Sequence, residues 1–131
     1  MTLDAEALAD IFGDFGPVHT RRMFSGTGIY RDDVMFAIEV GGTIYLKTDA
    51  MSRAAFEEVG ARPFSYGRRD GRVVLTSLWS MPEQALDDPT VAAGWAERAW
   101  QAASAKRAAA RTGRRRKGRA APHPPADPEG N

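Results

Sequence analysis

The sequence has no cysteine, only two histidines, and no apolar run near the roughly 18 residues that a membrane-spanning helix requires. Without cysteine the chain forms no disulfide, offers no thiolate to a metal and performs no thiol catalysis, which fits a reducing compartment. The histidines do not make a site either. His19 stands before the first expected strand and His123 among C-terminal prolines, so they lack metal-ligand spacing, and His19 has no evident carboxylate and nucleophile to serve as a general base. There is no Gly-x-Ser-x-Gly elbow and no phosphate-binding loop ending in Lys-Ser/Thr. Gly26-Thr27-Gly28 carries two glycines of a dinucleotide fingerprint but no helix follows it, so it reads as a bulge or turn inside strands. The start, MTLDAEALADIF, is acidic where a signal peptide is basic. These absences set the expectation of a cytoplasmic protein that is not an enzyme, holds no cofactor or metal, and has no membrane segment.

What is present is one domain's worth of chain with an uneven charge. The sequence runs to 131 residues, 43% of them hydrophobic and 27% charged, ordinary values for a single globular core. Residues 1–105 carry 10 Lys/Arg against 15 Asp/Glu, whereas residues 106–131 carry 8 against 2. An acidic body is thus followed by a basic, proline-rich tail. From Thr112 on, the tail has no large apolar residue to bury, so nothing offsets the entropy of ordering it, and disorder is expected there.

Within the body, periodicity and turn chemistry mark the elements. Leu3, Ala7, Leu8, Ile11, Phe12 and Phe15 fall at helical spacing behind Thr2 or Asp4 as cap. Arg21 to Thr48 is aromatic and β-branched, and predicts three antiparallel strands at about 21–30, 34–40 and 43–48, joined through Asp32-Asp33 and Gly41-Gly42. A second helix is expected behind Thr48 or Asp49, with Met51, Ala55 and Val59 on one face and Gly60 as its C-terminal cap. Phe64 to Tyr66 and Arg72 to Trp79 form a hairpin about Asp70-Gly71. Asp88-Pro89 opens a third helix that reaches about 105 and frays toward 110. The order of helix, three-stranded meander, helix, hairpin and helix predicts a five-stranded α+β domain.

Three groups of residues are candidates for function. On strand 34–40, Val34, Phe36, Ile38 and Val40 are expected on one face and Met35, Ala37 and Glu39 on the other. The second face, with Met35, Tyr45, Val74 and Leu78, is covered either by loops and the third helix or by a second copy of the chain, and a homodimer is the reading adopted. Arg21 and Arg22 are adjacent strand residues and point to opposite faces. One of them either pins the first helix through an ion pair or binds a partner. Arg114, Arg115, Arg116, Lys117 and Arg119 form a cationic cluster able to bind nucleic acid weakly and without sequence preference, or else serve solubility alone. The tail has no aromatic residue for stacking on bases.

Four segments in order, RRMFSGTGIYRDDVMFAI, TIYLKTD, RPFSY and SLWSMPEQALDDP leading into a Trp-containing helix, resemble the N-terminal domain of the TfoX/Sxy family over about residues 10–105. Ser25-Gly26 replaces the family's glycine pair after Met-Phe, and Leu78-Trp79 stands where the family has Tyr-Trp before its Pro-Glu turn. The resemblance implies a secretion-chaperone-like α+β fold and a regulatory, protein-binding role connected with natural competence and transcription, without catalytic residues. It also implies that residues 1–105 are this domain alone, with the tail of residues 106–131 where the competence regulators carry a second domain.

Overall fold

Asp4 opens the first helix, α1 (Ala5–Ile11), by accepting the Ala7 N–H on its Oδ1 at 2.8 Å, which satisfies one of the free donors of the first turn. A computed structural model describes residues 3–23 and 26–120. Six strands follow from here in one antiparallel sheet: β1 (His19–Met23), β2 (Gly26–Arg31), β3 (Val34–Val40), β4 (Thr43–Lys47), β5 (Pro63–Arg68) and β6 (Gly71–Ser80), in the spatial order β1-β2-β3-β4-β6-β5. Between β4 and β5 lies α2 (Arg53–Glu58), and after β6 come the short α3 (Glu83–Leu86) and the long α4 (Pro89–Ala120). The domain is α+β, with helices segregated from an antiparallel sheet.

Local chemistry explains most of the boundaries. Gly41 and Gly42 both take positive φ, 59° and 90°, as a two-residue turn matching the sheet's twist requires. Gly60, at φ 81°, ends α2 in a Schellman motif: its N–H donates to Glu57 O and the Ala61 N–H donates to Phe56 O, each at 3.0 Å. Asp88 Oδ1 accepts from Thr90 N at 3.1 Å ahead of α4, whose first residue is Pro89.

Four expectations are corrected. The strand expected over 21–30 is two strands, β1 and β2, paired antiparallel from Met23↔Gly26 to His19↔Tyr30, so the sheet has six strands rather than five. On β3 the face assignment inverts. Ile29 pairs with Ala37 and Tyr30 with Met35, which leaves Phe36 as an extra residue in a bulge. One inserted residue flips every later side chain, so Ala37 and Glu39 join the core face and Ile38 the outer one, while the bulge turns Phe36 inward as well. The buried side chain of α2 is Phe56; Met51 is 90% exposed and Val59 42%. Finally, α4 continues past 105 to Ala120, because Ala, Lys and Arg are strong helix formers and cations near a helix C-terminus oppose its dipole. The expected disorder of residues 121–131 lies outside the described residues.

The core sits between the inner face of the sheet and the helices. Leu8 and Phe12 on and after α1, Ile29, Phe36, Ala37, Ile44, Leu46 and Trp79 from the sheet, and Ala92, Ala96 and Ala99 on α4 form one buried cluster. Alanines on α4 let its backbone approach β3 and β4 closely. Glu39 is buried among these groups at 0% exposure, and its Oε2 accepts from Gly42 N at 2.8 Å and Leu3 N at 3.2 Å, tying the N-terminal segment to the β3–β4 turn.

Close packing also fixes Gly26, where a Cβ would overlap the carbonyl oxygen of Glu39 on the neighbouring strand. Gly26→Ala is therefore expected to cost about 1–3 kcal/mol by chemical denaturation, the scale of overpacking a filled site. Gly94→Ala is the control. A Cβ there meets nothing within 4 Å, and the substitution should stabilise α4 by about 0.8–1 kcal/mol. Equal effects at the two sites would contradict the packing described.

Candidate interaction surface

Strand register gathers a second, solvent-facing set of side chains. The row Arg21↔Gly28↔Ile38↔Tyr45↔Ser80 crosses the sheet from β1 to β6, flanked by His19↔Tyr30↔Met35. Directly opposed residues share a face, so these belong to the side away from the core. At its centre is Gly28. A Cβ there would lie 3.0 Å from the sulfurs of Met23 and Met35 and 3.1 Å from the Tyr30 ring, so two thioethers and a phenol close over a glycine floor.

The rim is aromatic and cationic. His19 stacks on Tyr30 with 5.2 Å between centroids and 9° between planes, and the Arg21 guanidinium stands 5.7 Å from the same ring. Toward β5 the Tyr45 ring meets Phe64 edge-on at 4.8 Å. Met23 is 45% exposed and Tyr66, near Phe64, is 39% exposed. Methionine adapts to irregular partners, and Met, Tyr and Arg are the types enriched where proteins meet.

The residues singled out from the sequence are distributed as follows. Arg21 lies on this face; Arg22 pairs with Thr27 and points to the opposite side, lining a depression with Leu3, Asp4 and Thr20. Among the described residues Arg22 makes no ion pair. Of the four residues expected to form an open apolar stripe, Met35 and Tyr45 are on the outer face and half-buried, Leu78 is already covered at 8% exposure, and Val74 is 54% exposed beyond the register shift at Pro63–Phe64. Residues 114–119 are helical, within α4.

Sequence reasoning missed Arg31. Its guanidinium is held between the rings of Phe15 and Trp100, at 4.2 and 4.4 Å, and Nη1 donates to Phe15 O at 3.3 Å and to Glu97 Oε1 at 3.4 Å. Trp100 Nε1 donates to Arg31 O at 3.1 Å, and Arg107 Nη1 donates to Asp33 O at 2.7 Å. The arginine that pins a helix to the sheet is thus Arg31, and the helix is α4. The tight β2–β3 connection locates both contacts.

Among the described residues, no three His, Asp or Glu side chains converge as a metal site, and no described helix is long and apolar enough to cross a membrane. The sequence model of the TfoX N-terminal domain matches residues 10–103, from the end of α1 into the middle of α4. The chain belongs to the TfoX N-terminal domain family. The match takes in all six strands, and with them both faces of the TfoX-type sheet. The DNA transformation protein TfoX1 of Aliivibrio fischeri (strain ATCC 700601 / ES114) is 32% identical over 54 residues, which are 41% of this chain and 26% of that protein. The matched segment thus spans about a quarter of that relative's length.

Proposed function

We propose that this TfoX-type chain is a cytoplasmic, non-catalytic regulatory domain that docks a protein partner in transcription through the outer face around Gly28. The observation that carries the reading is the cluster of Met23, Tyr30 and Met35 over Gly28, an adaptable apolar patch beside Arg21 on a domain of a regulator family. The finer likeness to secretion-chaperone-like folds belongs with this reading, as does a connection with DNA transformation, the process in the relative's name. A second copy of the chain is the first partner we assign, since two-fold pairing is the commonest arrangement among oligomers.

The test replaces the gene by alleles carrying Met23→Glu or Arg21→Glu, both at exposed positions. Transcript levels and transformability should fall to those of a deletion strain while the purified variants keep wild-type Tm. Wild-type output from both alleles would remove the outer face from the function. Light scattering at tens of micromolar gives the partner: a dimer broken by Met23→Glu supports self-pairing, and a wild-type monomer leaves a different protein.

A second reading has its own support. Because α4 is helical to Ala120, the cations from Lys106 to Arg119 belong to an element continuous with the core, and they make the chain a nucleic-acid-associated accessory protein.

A further inference from the structure

Where α4 passes the ends of β3, β4 and β6, the surface closes into a cleft of about 230 Å³. Its floor is apolar, built from Val34 and Met35 on β3 and from Ala102 and Ala103 on α4. Beside the neutral Thr48 and Ser77, its charged lining is of one sign. Lys47, Lys106 and Arg107 border the cleft, and among the described residues no Asp or Glu does. Arg107 is fixed by its bond to Asp33 O, whereas the amines of Lys47 and Lys106 have no ion pair among the described residues, where the one such pair is Arg31 with Glu97.

This arrangement is costly as it stands. Lys47 is half-buried, and burial, then the charge of Lys106, holds its amine below the usual lysine range. Two repelling cations beside an apolar floor gain nothing from each other. They gain from an anion placed between them. We propose that the cleft between α4 and the ends of β3 and β4 is a binding site for a small organic anion, a carboxylate or phosphate monoester on a short apolar body, with Lys47 and Lys106 holding the charge and Val34, Met35, Ala102 and Ala103 the body. The volume lies just below the roughly 300–1,000 Å³ of ordinary ligand clefts, which limits the body to about one ring. Ser77, also in the lining, offers a hydroxyl. The cleft borders the outer face and shares Met35 with it, whereas Lys106, Ala102 and Ala103 lie on α4, so the Lys106 variant tests the cleft apart from the outer-face reading.

Phenyl phosphate is the probe, titrated into the full ¹⁵N-labelled chain and followed by amide shifts. Saturable shifts should be confined to Val34, Thr48, Ser77, Ala102 and Ala103. Lys47→Met removes the half-buried charge and Lys106→Gln an exposed one; together they should weaken binding at least tenfold, and Lys106→Gln alone severalfold. Inorganic phosphate should bind at least tenfold more weakly than phenyl phosphate, and benzyl alcohol should produce no saturable shift. Unchanged affinity in Lys106→Gln overturns the proposal, as does inorganic phosphate binding equally well, or shifts centred on residues 114–119.

Discussion

Phe36→Ala is expected to destabilise the domain by about 3–5 kcal/mol, the usual cost of removing a fully buried aromatic ring. The ring is 0% exposed and meets Phe12 edge-on at 5.3 Å and Phe15 at 5.0 Å, so the truncation removes its own burial and one side of two aromatic contacts. Phe15 in turn supports the Arg31 guanidinium, so the loss reaches the clamp that holds the β2–β3 connection to α4. Domains of this size are stable by about 5–15 kcal/mol in total, and such a loss leaves a large share of molecules unfolded on warming. Urea denaturation measures it as a lowered midpoint at unchanged slope. Leu75→Ala, at a 36% exposed position, is the comparison and should cost under about 1 kcal/mol. Similar midpoints for the two variants would show that the bulge does not turn Phe36 into the core.

Phe36 also marks where the sequence stopped being legible. Turn and cap chemistry is local, so Asp4, Gly41-Gly42, Gly60, Asp70-Gly71 and Asp88-Pro89 announced their elements directly. A bulge is different. It is set by how β3 sits against β2, and a strict alternation starting from Val34 puts Phe36 and Ile38 on one face when the sheet puts them on two. The break of the first strand was visible as Ser25-Gly26, yet the run of apolar and β-branched residues on either side concealed that the two halves pair with each other. Alternation did hold one unread clue to the surface. Gly26 and Gly28 are two apart, hence on the same face, and a face with two glycines invites neighbours such as Met23 and Met35 to lie down over it. Arg31 could not be found by pattern at all. Its partners, Phe15, Glu97 and Trp100, come from distant parts of the chain, and only the packing of α4 on the sheet brings them together.

Binding of duplex DNA should fall by about 250- to 1,000-fold between 50 and 200 mM salt, because affinity would rest on counterion release. Arg114, Arg115, Arg116, Lys117 and Arg119 supply about five phosphate contacts, and at about 0.9 per contact the slope of log affinity against log salt is roughly −4 to −5. Residues 1–105, with 15 acidic side chains against 10 basic ones, oppose the approach of a polyanion. Distance decides between the two. Arg107 still bonds Asp33 O on the body, and at about 1.5 Å per residue Arg114 lies roughly 10 Å farther along the helix axis. That exceeds the Debye length of roughly 8 Å at physiological salt, so the body's repulsion is weakened along the end of α4. Replacing the five residues by glutamine leaves the core and the Arg31 clamp untouched. The variant should lose nearly all affinity for labelled duplex at 50 mM salt and keep its wild-type Tm, and scrambled duplexes should bind the wild type equally, since phosphate contacts carry no sequence information. Equal binding by wild type and variant, or a salt slope near zero, would leave the end of α4 without a part in nucleic-acid binding and the outer face as the protein's means of action.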